Sequence, residues 1–254
     1  MIGPIQRFTR VSSGEISNYI LLVDSPQLVD RISGEFEGVH RVEGRAGIVS
    51  ITGKYKGAEI TVTTFGVGGP SLAIVVEELS RVGGRFFLKV GAATAITSKL
   101  NIGDYIVVSS AIRCDKVSEE YAPLEVPACG DFFLIKSLTD SLNSLDEKYY
   151  VGTVVSTNVF YVENIEKAKE WARYNSIALD MDTATLYVLA HVKKLRAAAL
   201  LVVDSNLVKG IERPREEVET ELALKVEERM LRAVKLGLEA LRLSYERVRA
   251  AKKP

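Results

Sequence analysis

Short apolar runs rich in β-branched residues recur along the chain, at residues 19–23, 60–64, 86–90, 105–109, 151–156 and 198–203. Most are continuous rather than alternating. That pattern predicts strands covered on both faces, because a half-exposed strand places polar residues at every second position. Between them the apolar spacing changes to the helical period. Residues 71–82 follow a Pro-Ser start signal and carry Leu72, Ile74, Val75 and Leu79. Residues 165–174 and 183–194 have similar spacing. Residues 216–252 read as one long amphipathic helix with Leu224, Met230, Leu231, Val234, Leu238 and Leu241 on its buried side. Lys252 and Lys253, ahead of Pro254, read as a frayed, solvated end. Strands alternating with helices predict an α/β fold with a mixed or parallel sheet. No repeat, low-complexity tract or linker divides the chain, so residues 1–254 are expected to form a single domain.

Composition narrows the function classes. A chain of 254 residues can bury one large α/β core, and 47% apolar with 26% charged residues marks a globular protein rather than a disordered one. The 33 basic and 33 acidic residues cancel, so no global charge points to nucleic acid or an anionic membrane. A local basic groove stays open. No apolar run reaches transmembrane length. The N-terminal MIGPIQRFTR lacks the apolar centre of a signal peptide, so a cytoplasmic location is expected. The two cysteines, Cys114 and Cys129, match no zinc or redox spacing and read as reduced thiols; no metal is expected. With only His40 and His191 present, a histidine base has little material to draw on.

A glycine-rich turn, Gly66-Val67-Gly68-Gly69-Pro70-Ser71, precedes the first predicted helix. Alone it is weak, since many α/β folds need such a turn for close packing. Its sequel is more specific: Phe87-Leu88-Lys89-Val90-Gly91, then Asn101-Ile102-Gly103-Asp104-Tyr105, then Tyr121-Ala122-Pro123-Leu124-Glu125-Val126-Pro127. Val155-Ser156-Thr157-Asn158-Val159-Phe160-Tyr161, Asp180-Met181-Asp182-Thr183 and Val202-Val203-Asp204-Ser205-Asn206 complete the series. In content and order these blocks resemble the hexameric nucleoside phosphorylases, the purine and uridine phosphorylase family, over roughly residues 18 to 240. The resemblance implies one α/β domain built on a mixed β-sheet closed into a distorted barrel and flanked by helices. It also implies a homo-oligomer, either dimers or dimers assembled into a trimer of dimers, in which a neighbouring chain completes each active site. The substrate is then a small-molecule nucleoside, inorganic phosphate is the co-substrate, and no cofactor is needed.

The family's reaction has separable requirements: a carboxylate for the ribose hydroxyls, donors for the phosphate, and an acid or strong donor for the departing base. The family's Glu-Met-Glu is here Asp180-Met181-Asp182. The resemblance places Asp182 on the 2′ and 3′ hydroxyls, with Met181 and Val67 beside the ribose. Aspartate reaches about 1.5 Å less far than glutamate, one C–C bond. A competing reading has Asp182 only capping the helix that starts near Thr183.

The phosphate positions diverge. The family's Gly-Asp-Pro-x-Arg loop aligns with Asp24-Ser25-Pro26-Gln27-Leu28, so Asp24 replaces an amide-presenting glycine and Leu28 an arginine. The neighbour-supplied arginine aligns with Ala46, with Arg45 one residue away. Lys89 stands for a strand arginine, Ala92 for a hydroxyl and Thr94 for a glycine.

For the leaving group, the purine-type Ser-Asp is reversed to Asp204-Ser205, both candidate catalytic residues. Strand alternation would turn Asp204 to the opposite face unless a local twist at the strand end rescues it. At the base, Phe160 is a stacking candidate and Asn164 stands near the family's glutamine, while Glu166 cannot replace the arginine of uridine-type members. Packing in the core is the competing role for Phe160 and Tyr161. Three functions follow from these residues: phosphorolysis of a purine or uridine-like nucleoside, a phosphate-independent nucleosidase, or a binding or structural paralogue with impaired catalysis.

Overall fold

The computed structural model describes residues 4–161, 164–214 and 220–251. Its elements run β1 (Tyr19–Val23), α1 (Pro26–Ile32), β2 (Glu37–Glu43), β3 (Val49–Tyr55), β4 (Ala58–Thr64), α2 (Gly68–Arg81), β5 (Phe86–Ala95) and β6 (Tyr105–Cys114). They continue with α3 (Val117–Tyr121), α4 (Phe132–Ser144), β7 (Tyr149–Thr157), α5 (Ile165–Ala172), β8 (Ser176–Asp180), α6 (Thr183–Lys193), β9 (Arg196–Asn206) and α7 (Glu221–Ala251). All nine strands join one mixed sheet in the order β2-β3-β4-β1-β5-β8-β7-β6-β9, and β9 pairs back onto β5. The last five therefore close into a barrel, and β1, β4, β3 and β2 extend from it as an open wing.

The continuous apolar runs have the cause that their pattern suggested. Along β1, Ile20 and Leu22 enter one core with α2 and α6, while Leu21 and Val23 enter a second core with α4 and α7. A strand sandwiched this way has no face left for polar residues. The second core is roofed by α7, where Met230, Val234, Leu238 and Leu241 are buried as the helical spacing predicts, while Leu231 is half-buried and Leu224, expected on the same side, is exposed at the cavity. The predicted start of that helix at Glu216, and the solvated end at Lys252 and Lys253, lie outside the described residues.

Three strands and three helices were not expected from the pattern. β2 is exposed along almost its whole length and carries Glu37, His40, Arg41 and Glu43 at the sheet edge, so it has no apolar run to detect. β8 is only five residues long, Ser-Ile-Ala-Leu-Asp. In β3 the apolar residues are interrupted by Ser50, Thr52 and Lys54. Among the helices, α4 does carry a legible signal: Asp131 caps it, accepting from the Leu134 amide at 2.9 Å.

Candidate active site

The cavity lies where several element ends converge. The C-terminal end of β1, the Gly66–Gly68 turn, the middle of β5, the β8–α6 junction and the end of β9 form its floor, and α5 and α7 flank its mouth. Its volume is about 1020 Å³, large for a pocket, since small-molecule sites run from about 300 to 1,000 Å³. The glycine turn has a steric basis. Gly66 and Gly68 have φ of 75° and 79°, in the left-handed region, and a Cβ on Gly69 would lie 2.6 Å from Thr185 Oγ1. Only glycine lets the start of α2 pack this closely on α6.

Lys89 is the centre of the floor. The residue is 2% exposed, and its ammonium donates to Asp180 Oδ2 at 2.8 Å and to Thr183 Oγ1 at 3.1 Å and is in ion-pair contact with Asp182 Oδ1. Burial works against its charge, but the two aspartates outweigh burial and hold Lys89 above its ordinary range. They fare differently. Against burial, Asp180 is held below the usual carboxylate range, first by the charge of Lys89 and its hydrogen bond, then by the bonds it accepts from Ser156 Oγ and from Thr183. Asp182 is pushed up, by burial and by the charge of Asp180, against the pull of Lys89. The capping role considered for Asp182 is not what the structure contains. Its side chain makes no cap bond, and the Thr183 amide donates to Asp180 instead, at 3.0 Å. Asp182 points into the cavity wall beside Met181 and Val67.

Asp204 also lines the cavity, and the reason corrects the simple alternation argument. β5 and β9 pair Ala93 with Val203 and then Thr94 with Ser205. Asp204 is the extra residue of a β-bulge and has no partner on β5. A bulge bends the strand and re-aims its side chains, which turns Asp204 inward. Ser205 is buried behind it, outside the wall, donating to Asp204 Oδ1 at 2.9 Å and sharing a 2.8 Å hydroxyl contact with Thr94.

Arg213 completes this corner. It forks onto Asp204 through Nε and Nη2, the latter 3.1 Å from Oδ1, and Nη2 reaches Thr94 Oγ1 at 3.3 Å. Its guanidinium lies 4.2 Å from the ring centre of Phe160. Burial raises Asp204 above the usual carboxylate range, even against the opposing charge of Arg213. Phe160 and Tyr161 are 39% and 93% exposed, so core packing does not account for them. Asn164 lies in the wall and also caps α5, accepting from the Glu166 amide at 2.8 Å.

The remaining predicted positions divide. Asp24, Leu28 and Ala92 line the same cavity as Lys89. Arg45 does not: it sits exposed in the β2–β3 turn, tied through its amide to the Phe8 carbonyl at 2.7 Å. Arg213 and the clamping role of Asp180 escaped the sequence reading. Asp180 was visible inside Asp-Met-Asp, but Arg213 lies in an irregular segment, nine residues beyond Asp204, where no periodicity marks it. Arg31, one helical turn after Leu28, also reaches the wall, paired with Glu227 of α7. Among the described residues no group of three or more His, Cys, Asp or Glu could hold a metal ion, and no helix is long and apolar enough to cross a membrane.

With this geometry in place, comparison with known proteins is direct. The family model of the Phosphorylase superfamily matches residues 18–239, and the chain belongs to that family. Guanosine phosphorylase of Halorubrum lacusprofundi is 33% identical over 231 residues, covering 91% of this chain and 95% of the relative. Uridine phosphorylase of Thermococcus kodakarensis is 33% identical over 210 residues, covering 77% and 75%. The crystal structure of uridine phosphorylase from Vibrio fischeri ES114 superposes with a TM-score of 0.84 at 26% identity, covering 93% of this chain and 96% of that one.

Proposed function

We propose that this protein is a nucleoside phosphorylase that cleaves the N-glycosidic bond of a purine nucleoside with inorganic phosphate. A phosphate oxygen forms the new bond to the anomeric carbon while the carbon–nitrogen bond breaks. The bonding pair passes to the base, which leaves as its conjugate acid once a proton is supplied. The cavity divides the labour accordingly. Asp182 accepts from the ribose hydroxyls. Phe160 provides a face for the base. Asp204, raised by burial and gripped by Arg213, carries the proton that it donates to the departing purine.

The observation that carries the reading is the bulge that turns Asp204 into the same cavity as Asp182. A kinship with a guanosine phosphorylase over nearly the full length of both chains supports the purine assignment. The reaction uses phosphate as co-substrate and no cofactor. In the proposed assembly, dimers in a trimer of dimers, Arg45 serves a neighbouring chain, which fits its place outside its own cavity. Light scattering of the purified protein reads the assembly directly, and a monomer would refute it.

The test of the activity is base release from guanosine, inosine, adenosine and uridine, with and without phosphate, by the wild type and D204N. Phosphate-dependent release from purine nucleosides, lowered at least about 100-fold in D204N, supports the reading. Selective release from uridine, indifferent to D204N, overturns the purine assignment. Equal release without phosphate overturns phosphorolysis.

A further inference from the structure

The phosphate corner contains a carboxylate whose surroundings argue for a task. Asp24 follows β1 directly and lies in the cavity wall with Lys89. Lys89 is the buried cation available there, and Asp180 and Asp182 already surround it. Among the described residues, two cations, Lys89 and Arg213, face four carboxylates, Asp24, Asp180, Asp182 and Asp204, around the floor of the cavity. Nearer the mouth, Arg31 is paired with Glu227, and Lys167 and Glu170 of α5 balance one another in sign. Such a site repels a doubly charged oxyanion in its fully ionised form.

Resting on the phosphorolysis reading, we propose that Asp24 is a proton-dependent gate for the anionic co-substrate: a doubly charged oxyanion seats beside Lys89 only when Asp24 carries a proton, so its binding takes up one proton from solvent. Protonation removes one of the four negative charges and converts the Asp24 carboxyl from an acceptor into an O–H donor toward the anion. Asp24 is suited to hold that proton. Burial first, and then the charge of Asp182, push it up to about 6, against the opposing pull of Lys89. The two histidines, His40 and His191, lie outside the cavity wall and do not supply the switch. Asp182 and Asp204 are also held above the ordinary range, so the effect is assigned by substitution at position 24.

Calorimetric titration of the full chain with sulfate gives a clean reading, since sulfate keeps one charge state from about pH 5 to about pH 8 and isolates the protein's own proton. Wild-type affinity is expected to fall on the order of 100-fold between those limits, tenfold for each unit above the Asp24 value. At about pH 7, above the Asp24 value, uptake of about one proton per sulfate should show as a difference in heat between two buffers of unlike ionisation enthalpy. D24N and D24S, each checked for an unchanged melting profile, should bind sulfate with less than about a threefold change over the same range. The same pH dependence in D24N and D24S as in the wild type overturns the proposal, as does sulfate binding at about pH 7 without proton uptake, or no sulfate binding at either limit. Turnover separates the two levels. Anion binding that behaves as expected, with no phosphate-dependent base release at any pH from about 5 to about 8, refutes phosphorolysis while leaving the gate intact. Phosphate-dependent turnover whose KM, expressed as the concentration of the phosphate dianion, does not change with pH refutes the gate and leaves phosphorolysis intact.

Discussion

Replacing Lys89 with methionine should damage stability in a way that depends on pH. The ammonium is almost fully buried and bridges Asp180 and Asp182, which are themselves 5% exposed. Methionine fills much of the volume but leaves two carboxylates facing each other without a cation. Breaking a buried pair by removing one partner costs about 3–5 kcal/mol. In a domain of this size that corresponds to a fall in Tm of roughly 6–20 °C, at about 2–4 °C for each kcal/mol.

The sign of the pH effect follows from linkage. In the wild type Asp180 is held below its unfolded value, so its contribution is present above that value and is lost as pH falls. In K89M burial and mutual repulsion raise both aspartates above their unfolded values. The folded variant then binds more protons than the unfolded chain, and its stability falls as pH rises through that window. Thermal unfolding of both proteins at about pH 5 and about pH 7.5 tests this, and the Tm gap should be wider at the higher pH. The double variant K89M/D182N should recover part of the loss, because one uncompensated charge is gone. A gap below about 2 °C, or one that is equal at both pH values, would refute the account of the buried cluster.

Other substitutions probe other parts of the site. D182A should lower kcat/KM for ribonucleosides by at least about 100-fold and narrow the preference for ribo- over 2′-deoxynucleosides, as measured by steady-state assays on matched substrates. F160A removes the base-stacking face and the partner of Arg213, worth about 1–2 kcal/mol together, so KM should rise on the order of tenfold with kcat little changed. E78A strips a buried carboxylate that accepts from the Phe8 amide, the Thr9 amide and the Thr9 hydroxyl. Unsatisfied buried donors cost about 1–3 kcal/mol, so differential scanning calorimetry should record a clear drop in Tm.

The sequence and the structure agree most where physics is local and repetitive. Core strands such as β1 and β9 and the buried stripe of α7 follow from apolar spacing alone. The edge strand β2 does not, because solvent on both faces removes the pattern that identifies a strand. At the site, the ordered blocks placed Asp182, Met181, Lys89 and Asp24 around one cavity, and the structure brings those residues together there. Asp204 was legible as a residue but not as an orientation, since a single bulged position reverses the face that alternation assigns. Arg213 was not legible at all. Its role depends on a loop folding back over Phe160 and Asp204, a long-range contact that spacing does not encode. The capping role for Asp182 fell away only in three dimensions, where Asp180, two positions earlier, takes the capping bond.

The proposed reaction transfers a ribosyl group to phosphate within this cavity. Its most direct measurement follows the sugar product when guanosine is incubated with the protein and phosphate. Phosphorolysis predicts ribose 1-phosphate formed in equal amount with guanine, and no guanine released when phosphate is omitted. Free ribose as the product, or guanine release that continues undiminished without phosphate, would contradict it.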